Sequence, residues 1–196
     1  MKKLFALLLT GILLVTSAGC GNAAVQHQTP TQPPTSAPPE KAPENPALTV
    51  MQTIWAQFKG DKEAYLGGFG EDHRMAEPWQ LDLSNEDFLQ GALFLSEEQL
   101  AKVTAAASLM HGLNTNNLTV GAVVLKEGTD DKVFASEIKN RILDNQWVCG
   151  RPGGMRIVKV EDCLLILYGT GSYAGGFVEA LQQAYPEAQT LCQESI

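Results

Sequence analysis

The side chains of this 196-residue sequence best suited to chemistry are four cysteines, three histidines and a glycine-rich run at Tyr168–Gly176. A cysteine nucleophile needs an imidazole within reach of its thiol. Glu71-Asp72-His73 and Met110-His111-Gly112 offer the two imidazoles for that role. Glu71-Asp72-His73, in a glycine-rich stretch, is the most enzyme-like cluster, but three polar neighbours in a loop read first as a solvated surface. His111, between Met110 and Leu113, reads as a semi-buried histidine. Cys163 opens the apolar run Cys163-Leu164-Leu165-Ile166-Leu167 and reads as a small core residue. Cys149 and Cys192 each lie beyond a helix end; whether they pair stays open. No Cys-x-x-Cys spacing occurs, so no zinc site is expected.

The run Tyr168-Gly169-Thr170-Gly171-Ser172-Tyr173-Ala174-Gly175-Gly176 invites a phosphate-loop reading, since glycines let backbone N–H groups face an anion at a helix start. Its details disagree. The third glycine of the dinucleotide fingerprint falls at Ala174, and the acidic partner ~20 residues later has no following strand. A Gly-Lys-Ser/Thr step is absent. Thr170 and Ala174 stand where a nucleophile elbow around Ser172 requires glycines, and no histidine follows it. The run reads as a strand-to-helix turn capped by Ser172. No catalytic, cofactor-binding or metal-binding residue is expected, and no cofactor.

Composition narrows the partners. The chain carries 14 Lys+Arg against 22 Asp+Glu, a formal net charge of −8. Nucleic acid demands clustered basic residues and is excluded as a partner. An apolar fraction of 44% is that of a globular protein, and only the first twenty residues approach a membrane-length apolar run.

Those first residues have three zones: Lys2-Lys3, the apolar stretch Leu4–Val15, then Thr16-Ser17-Ala18-Gly19 before Cys20. That order predicts a signal peptide over residues 1–19. Ser17-Ala18-Gly19-Cys20 resembles the lipobox of bacterial lipoproteins, with Ser17 where leucine is usual. The resemblance implies that Cys20 is lipidated, becomes the mature N-terminus and holds the protein to membrane lipid on the outer face of the cytoplasmic membrane. Loss of Lys2 and Lys3 leaves 12 basic and 22 acidic residues, a net charge of −10, so the lipid and not the surface must anchor it. Residues 20–45, with Pro30, Pro33, Pro34, Pro38, Pro39 and Pro43 among Thr, Gln and Ala, read as an extended, disordered tether in which His27 is solvated.

Residues 46–196 read as a single globular domain. Asn45 and Pro46 open a helix with Leu48, Met51, Trp55 and Phe58 on one face, closed by Gly60. Residues 67–73 read as loop, Trp79, Leu81 and Leu83 as a short extended piece, and Ser84 as the cap of a brief helix. Ser96 and Gln99 form a capping box. Residues 103–113 fit helix or strand. Asn114–Asn117 is turn chemistry, Leu118–Leu125 a strand, and Thr129 opens a helix bearing Phe134, Ile138 and Ile142. Met155–Val160 and Cys163–Tyr168 are strands about a tight turn at Glu161-Asp162. A last helix buries Phe177, Leu181 and Ala184 and ends at Pro186. The expected fold is α+β in two layers: a four-stranded, mainly antiparallel sheet in β-β-α-β-β-α order, helices on one face, preceded by N-terminal helices.

The lipobox, the Pro/Thr spacer, the run Thr119–Lys126 followed by Val133–Leu143, and the strand pair about Glu161-Asp162 resemble an uncharacterised family of small lipoproteins from Gram-positive, clostridia-like bacteria. The likeness spans roughly residues 78–186. It implies no catalytic residue, because that family is a domain of unknown function. The expected function is a non-catalytic binding or interaction module at the cell envelope, with an envelope protein or small ligand as partner. The alternatives are a ligand-binding lipoprotein serving a transporter and a hydrolase using the His73 loop.

Overall fold

In the computed structural model, which describes residues 44–148 and 150–196, chain order begins with helix α1 (Pro46–Gln57) and three short strands, β1 (Tyr65–Gly67), β2 (Arg74–Met75) and β3 (Trp79–Gln80). Helices α2 (Glu86–Leu93) and α3 (Glu97–Leu100) lead into β4 (Val103–His111) and β5 (Leu118–Leu125). Helix α4 (Asp131–Asp144), β6 (Gly154–Val160), β7 (Cys163–Gly169), α5 (Gly171–Ala184) and β8 (Gln189–Ser195) complete the chain. The segment expected to be a signal peptide, Cys20, nearly all of the expected tether and Cys149 lie outside the described residues. No described helix is long and apolar enough to cross a membrane.

The expectation of a four-stranded sheet covered on one face is overturned. The sheet has eight antiparallel strands in the order β2-β1-β4-β5-β7-β6-β8, with β3 beside β1 along the same edge of β4, and helices cover both faces. The reason lies in the central strands. Every residue of β7 is buried. Successive side chains of a strand point to opposite faces, so such a run needs two covering layers. Val120, Ala122, Leu165 and Leu167 pack with Met51, Ile54 and Phe177 of α1 and α5. Val123, Leu164 and Ile166 pack with Leu89, Leu93, Phe134 and Ile138 of α2 and α4. A three-layer α/β/α arrangement results.

The strands absent from the expectation were faint. β1 and β2 have three and two residues, and the extended piece expected from Trp79 enters the sheet only as Trp79–Gln80. β8 is a polar edge strand with only Leu191 and Cys192 half-buried, too weak an alternation to register. Residues 103–111 are strand, because Ala106 and Ala107 are small enough to lie under helices on opposite faces.

Local signals placed most helix starts within a residue. Asn45 Oδ1 accepts from Leu48 N at 3.2 Å, with Pro46 at the first position of α1. Asn85, not Ser84, caps α2. Asp130, not Thr129, caps α4, because its carboxylate accepts from the backbone of both Lys132 and Val133. Thr170 stands at the N-cap of α5 without a side-chain bond, and Ser172 lies inside the first turn. Helix α1 stops before Gly60: Phe58 leaves the helix in extended conformation and turns its ring into the core.

Candidate functional site

A cavity of about 550 Å³ opens where the end of α1, the loop after it, the end of β4 and one face of α5 meet. Its walls include Phe58, Asp61, Tyr65, His111, Tyr173 and Glu179. Helix α1 is held there from both ends. Asn45 Nδ2 donates to Ala106 O at 3.1 Å, and Trp55 Nε1 donates to Ala76 O at 2.8 Å. Tyr65 lies opposite His111 in the β1–β4 register, which brings the two rings to the same end of the sheet.

Aromatic contacts run without a break from the core to the opening. Trp55 stacks on Phe58 at 4.6 Å between centroids, Phe58 meets Tyr65 edge-on at 5.4 Å, Tyr65 meets His111 at 5.5 Å, and His111 meets Tyr173 at 4.8 Å. Such edge-to-face pairs fix ring orientation. A Cβ on Gly60 would fall 2.6 Å from the Phe58 ring, so the absence of a side chain there lets the loop close over Phe58.

His111 is buried, and its protonation pattern follows from its partners. Nδ1 accepts from the backbone N–H of Leu113 and of Asn114, each at 3.3 Å. A ring nitrogen that accepts holds no proton, so neutral His111 carries its N–H on Nε2. Nε2 has no hydrogen-bond partner among the described residues. It is also not sealed off, since Trp147 Nε1 is the only described side-chain polar atom both buried and partnerless. His111 lines the cavity. Burial, then the neighbouring Tyr173 and Asp61, push the Tyr65 hydroxyl above its ordinary pKa, so it remains a protonated donor.

The other residues read from the sequence do not converge here. His73 is exposed, and its Nδ1 bonds Gly70 O at 2.8 Å. Glu71 and Asp72 beside it are exposed on a single 3-10 turn. Cys163 is buried among α1 and α5 residues, and burial, then Glu161 and Asp162, push its thiol up to about 11. Cys192 is half-buried, and burial is the main cause raising its thiol. Ser172 is exposed at the cavity wall. Among the described residues neither His73 nor His111 hydrogen-bonds a carboxylate or a thiol. No described group of three or more His, Cys, Asp or Glu is placed to hold a metal.

The glycine-rich run is explained by packing at its first glycine. A Cβ on Gly169 would sit 2.4 Å from Asn117 O, so glycine is needed where β7 passes the chain entering β5. A second cavity, of about 540 Å³, lies beside the start of α5 and is lined by Gly153, Gly154, Gly169, Gly171 and Arg156, among others.

Of the walls of the first cavity, sequence reasoning had named Phe58, Gly60, His111 and, within the glycine-rich run, Ser172, Tyr173 and Gly176. Asp61, Tyr65 and Glu179 carried no signal, and no spacing links the three stretches that meet here. No family model, curated protein or solved structure matches the chain.

Proposed function

We propose that the chain is a non-catalytic binding module of the cell envelope, lipid-anchored through Cys20, which takes a small ligand in the His111 cavity. The observation that carries the reading is the state of His111. Two backbone N–H groups occupy its Nδ1, so the ring offers the cavity a fixed N–H donor instead of a free lone pair. A general base needs that lone pair, and usually a third group to orient it; a binding site needs the donor. The cavity's volume lies within the ~300–1,000 Å³ usual for small-molecule sites. The anchor rests on the small residues before Cys20 and the proline-rich spacer after it, and on the resemblance to small lipoproteins of clostridia-like bacteria.

A thermal-shift panel of neutral sugars, amino acids, amines and carboxylates at millimolar concentration tests the cavity. A ligand at a hundred times its Kd stabilises the fold by about 2.7 kcal/mol. At least one class is expected to raise the Tm of the native sequence and not that of Gly176→Leu, whose side chain intrudes beside Phe58. No shift with any class, or equal shifts in both proteins, refutes a ligand site here.

A second reading has its own observation. Phe69, on the β1–β2 connection, and Met75 of β2 are 47% and 55% exposed, and Phe69 stacks on Phe88 at 4.3 Å. Held apolar surface of this kind suits contact with another envelope protein.

A further inference from the structure

We infer that the ligand of the His111 cavity is an uncharged, polyhydroxylated ring, a sugar in chemical class. The inference rests on the binding-module reading and names the ligand that the cavity's donors and acceptors select.

Among the polar walls, donor-only and acceptor-only groups stand beside Gln57, Ser172 and Gln183, whose amides and hydroxyl do both. His111 Nε2–H donates only, and the Tyr65 hydroxyl, which makes no side-chain hydrogen bond among the described residues, is kept protonated. Asp61 and Glu179 accept only. A ligand that satisfies both kinds must donate and accept from closely spaced atoms, which is the property of a hydroxyl.

The competing classes each leave something unmatched. An anion would meet Asp61 and Glu179 in a chain of net charge −8. An ammonium suits the carboxylates and the rings, but it would face the His111 N–H with another donor and lie near Lys59, which also lines the cavity. A wholly apolar molecule would strip solvent from His111 Nε2 and the Tyr65 hydroxyl without replacing its hydrogen bonds. A sugar ring leaves neither defect. Its hydroxyls accept from His111 and donate to Asp61 or Glu179, while its C–H face lies on an aromatic surface. Tyr173 supplies that surface: it is 36% exposed, and His111 packs edge-on against it.

Isothermal titration of the full chain in detergent, with glucose and N-acetylglucosamine as sugar probes, choline as the cation and citrate as the anion, tests the class. At least one sugar should bind saturably, with a Kd in the millimolar range or tighter, and neither choline nor citrate should match it. Glu179→Gln, at an exposed position, should weaken that sugar at least tenfold with an unchanged Tm, Tyr173→Ala should weaken it at least tenfold with a small fall in Tm from the lost His111 contact, and Gly176→Leu should abolish binding. Choline or citrate binding that Gly176→Leu abolishes, with no sugar bound, overturns the sugar class and leaves the ligand site standing. Sugar binding unaffected by Tyr173→Ala and Gly176→Leu places it elsewhere and overturns the inference. Silence of both sugars overturns it as well, and silence of all probes together with a blank thermal-shift panel removes the site itself.

Discussion

His111 does structural and chemical work with different atoms. Nδ1 ties down the backbone that leaves β4, and the ring joins Tyr65 to Tyr173. Substitution by alanine leaves two part-buried N–H groups without their acceptor and a gap between two rings. An unpaired buried donor costs about 1–3 kcal/mol. His111→Ala is therefore expected to lose roughly 2 kcal/mol in urea unfolding. A loss under about 0.5 kcal/mol would show that Nδ1 is not the anchor of that turn.

Cys163 is a second residue whose chemistry follows from its place. Its thiol moves from the ordinary 9.0 to about 11 in the fold because burial penalises the thiolate. A raised folded pKa means that the folded state holds the proton more tightly. This contribution to stability is complete below pH 9.0 and is lost as pH climbs through about 11. Alkylation of the native protein at pH 8 followed by peptide mapping should label Cys192 and spare Cys163. Equal labelling of the two would contradict the burial of Cys163.

Among the elements, α3 is the least self-sufficient, with four residues. It persists through its capping box: Gln99 N donates to Ser96 Oγ at 3.2 Å, and Ser96 N donates to Gln99 Oε1 at 3.0 Å. Gln99 Nε2 then donates to Phe134 O at 3.2 Å, joining α3 to α4. Gln99→Ala removes the cap and the bridge together and should cost about 1–2 kcal/mol. The tight β6–β7 turn carries the opposite opportunity. Glu161 sits at φ 52°, in the left-handed region that a side chain disfavours by ~1–2 kcal/mol. Glu161→Gly relieves that strain while giving back ~0.5–1 kcal/mol of chain entropy. A small rise in stability, on the order of 0.5 kcal/mol, is expected from thermal unfolding, and a clear loss would mean that the glutamate compensates elsewhere.

At the scale of the whole molecule, the decisive property is a sheet buried on both faces. Val120 packs on the α1 and α5 side and Val123 on the α2 and α4 side, both with 0% exposure. An aspartate at either position buries an unpaired carboxylate, which costs several kcal/mol. Val120→Asp and Val123→Asp should both prevent folding or reduce stability by ~3 kcal/mol or more. Tolerance of Val123→Asp would restore the one-face arrangement that the chain at first suggests.

The local sequence by itself determined the helix starts at Asn45, Ser96 and Asp130 to within a residue, the strands Leu118–Leu125 and, but for its last residue, Cys163–Gly169, and the tight turn at Glu161. Each depends on interactions a few residues apart, so the necessary groups are neighbours in the chain. The second covered face was also written in the unbroken apolar run of Cys163–Tyr168, where a one-faced sheet calls for alternation. Only the tertiary structure decided that α1 returns over the sheet beside α5, because the face a helix packs on depends on contacts far apart in sequence. For the same reason it alone decided the cavity. Phe58, Tyr65, His111, Tyr173 and Glu179 span more than a hundred positions with no common spacing. They meet because antiparallel pairing sets Tyr65 opposite His111, and because α5 begins where β7 ends.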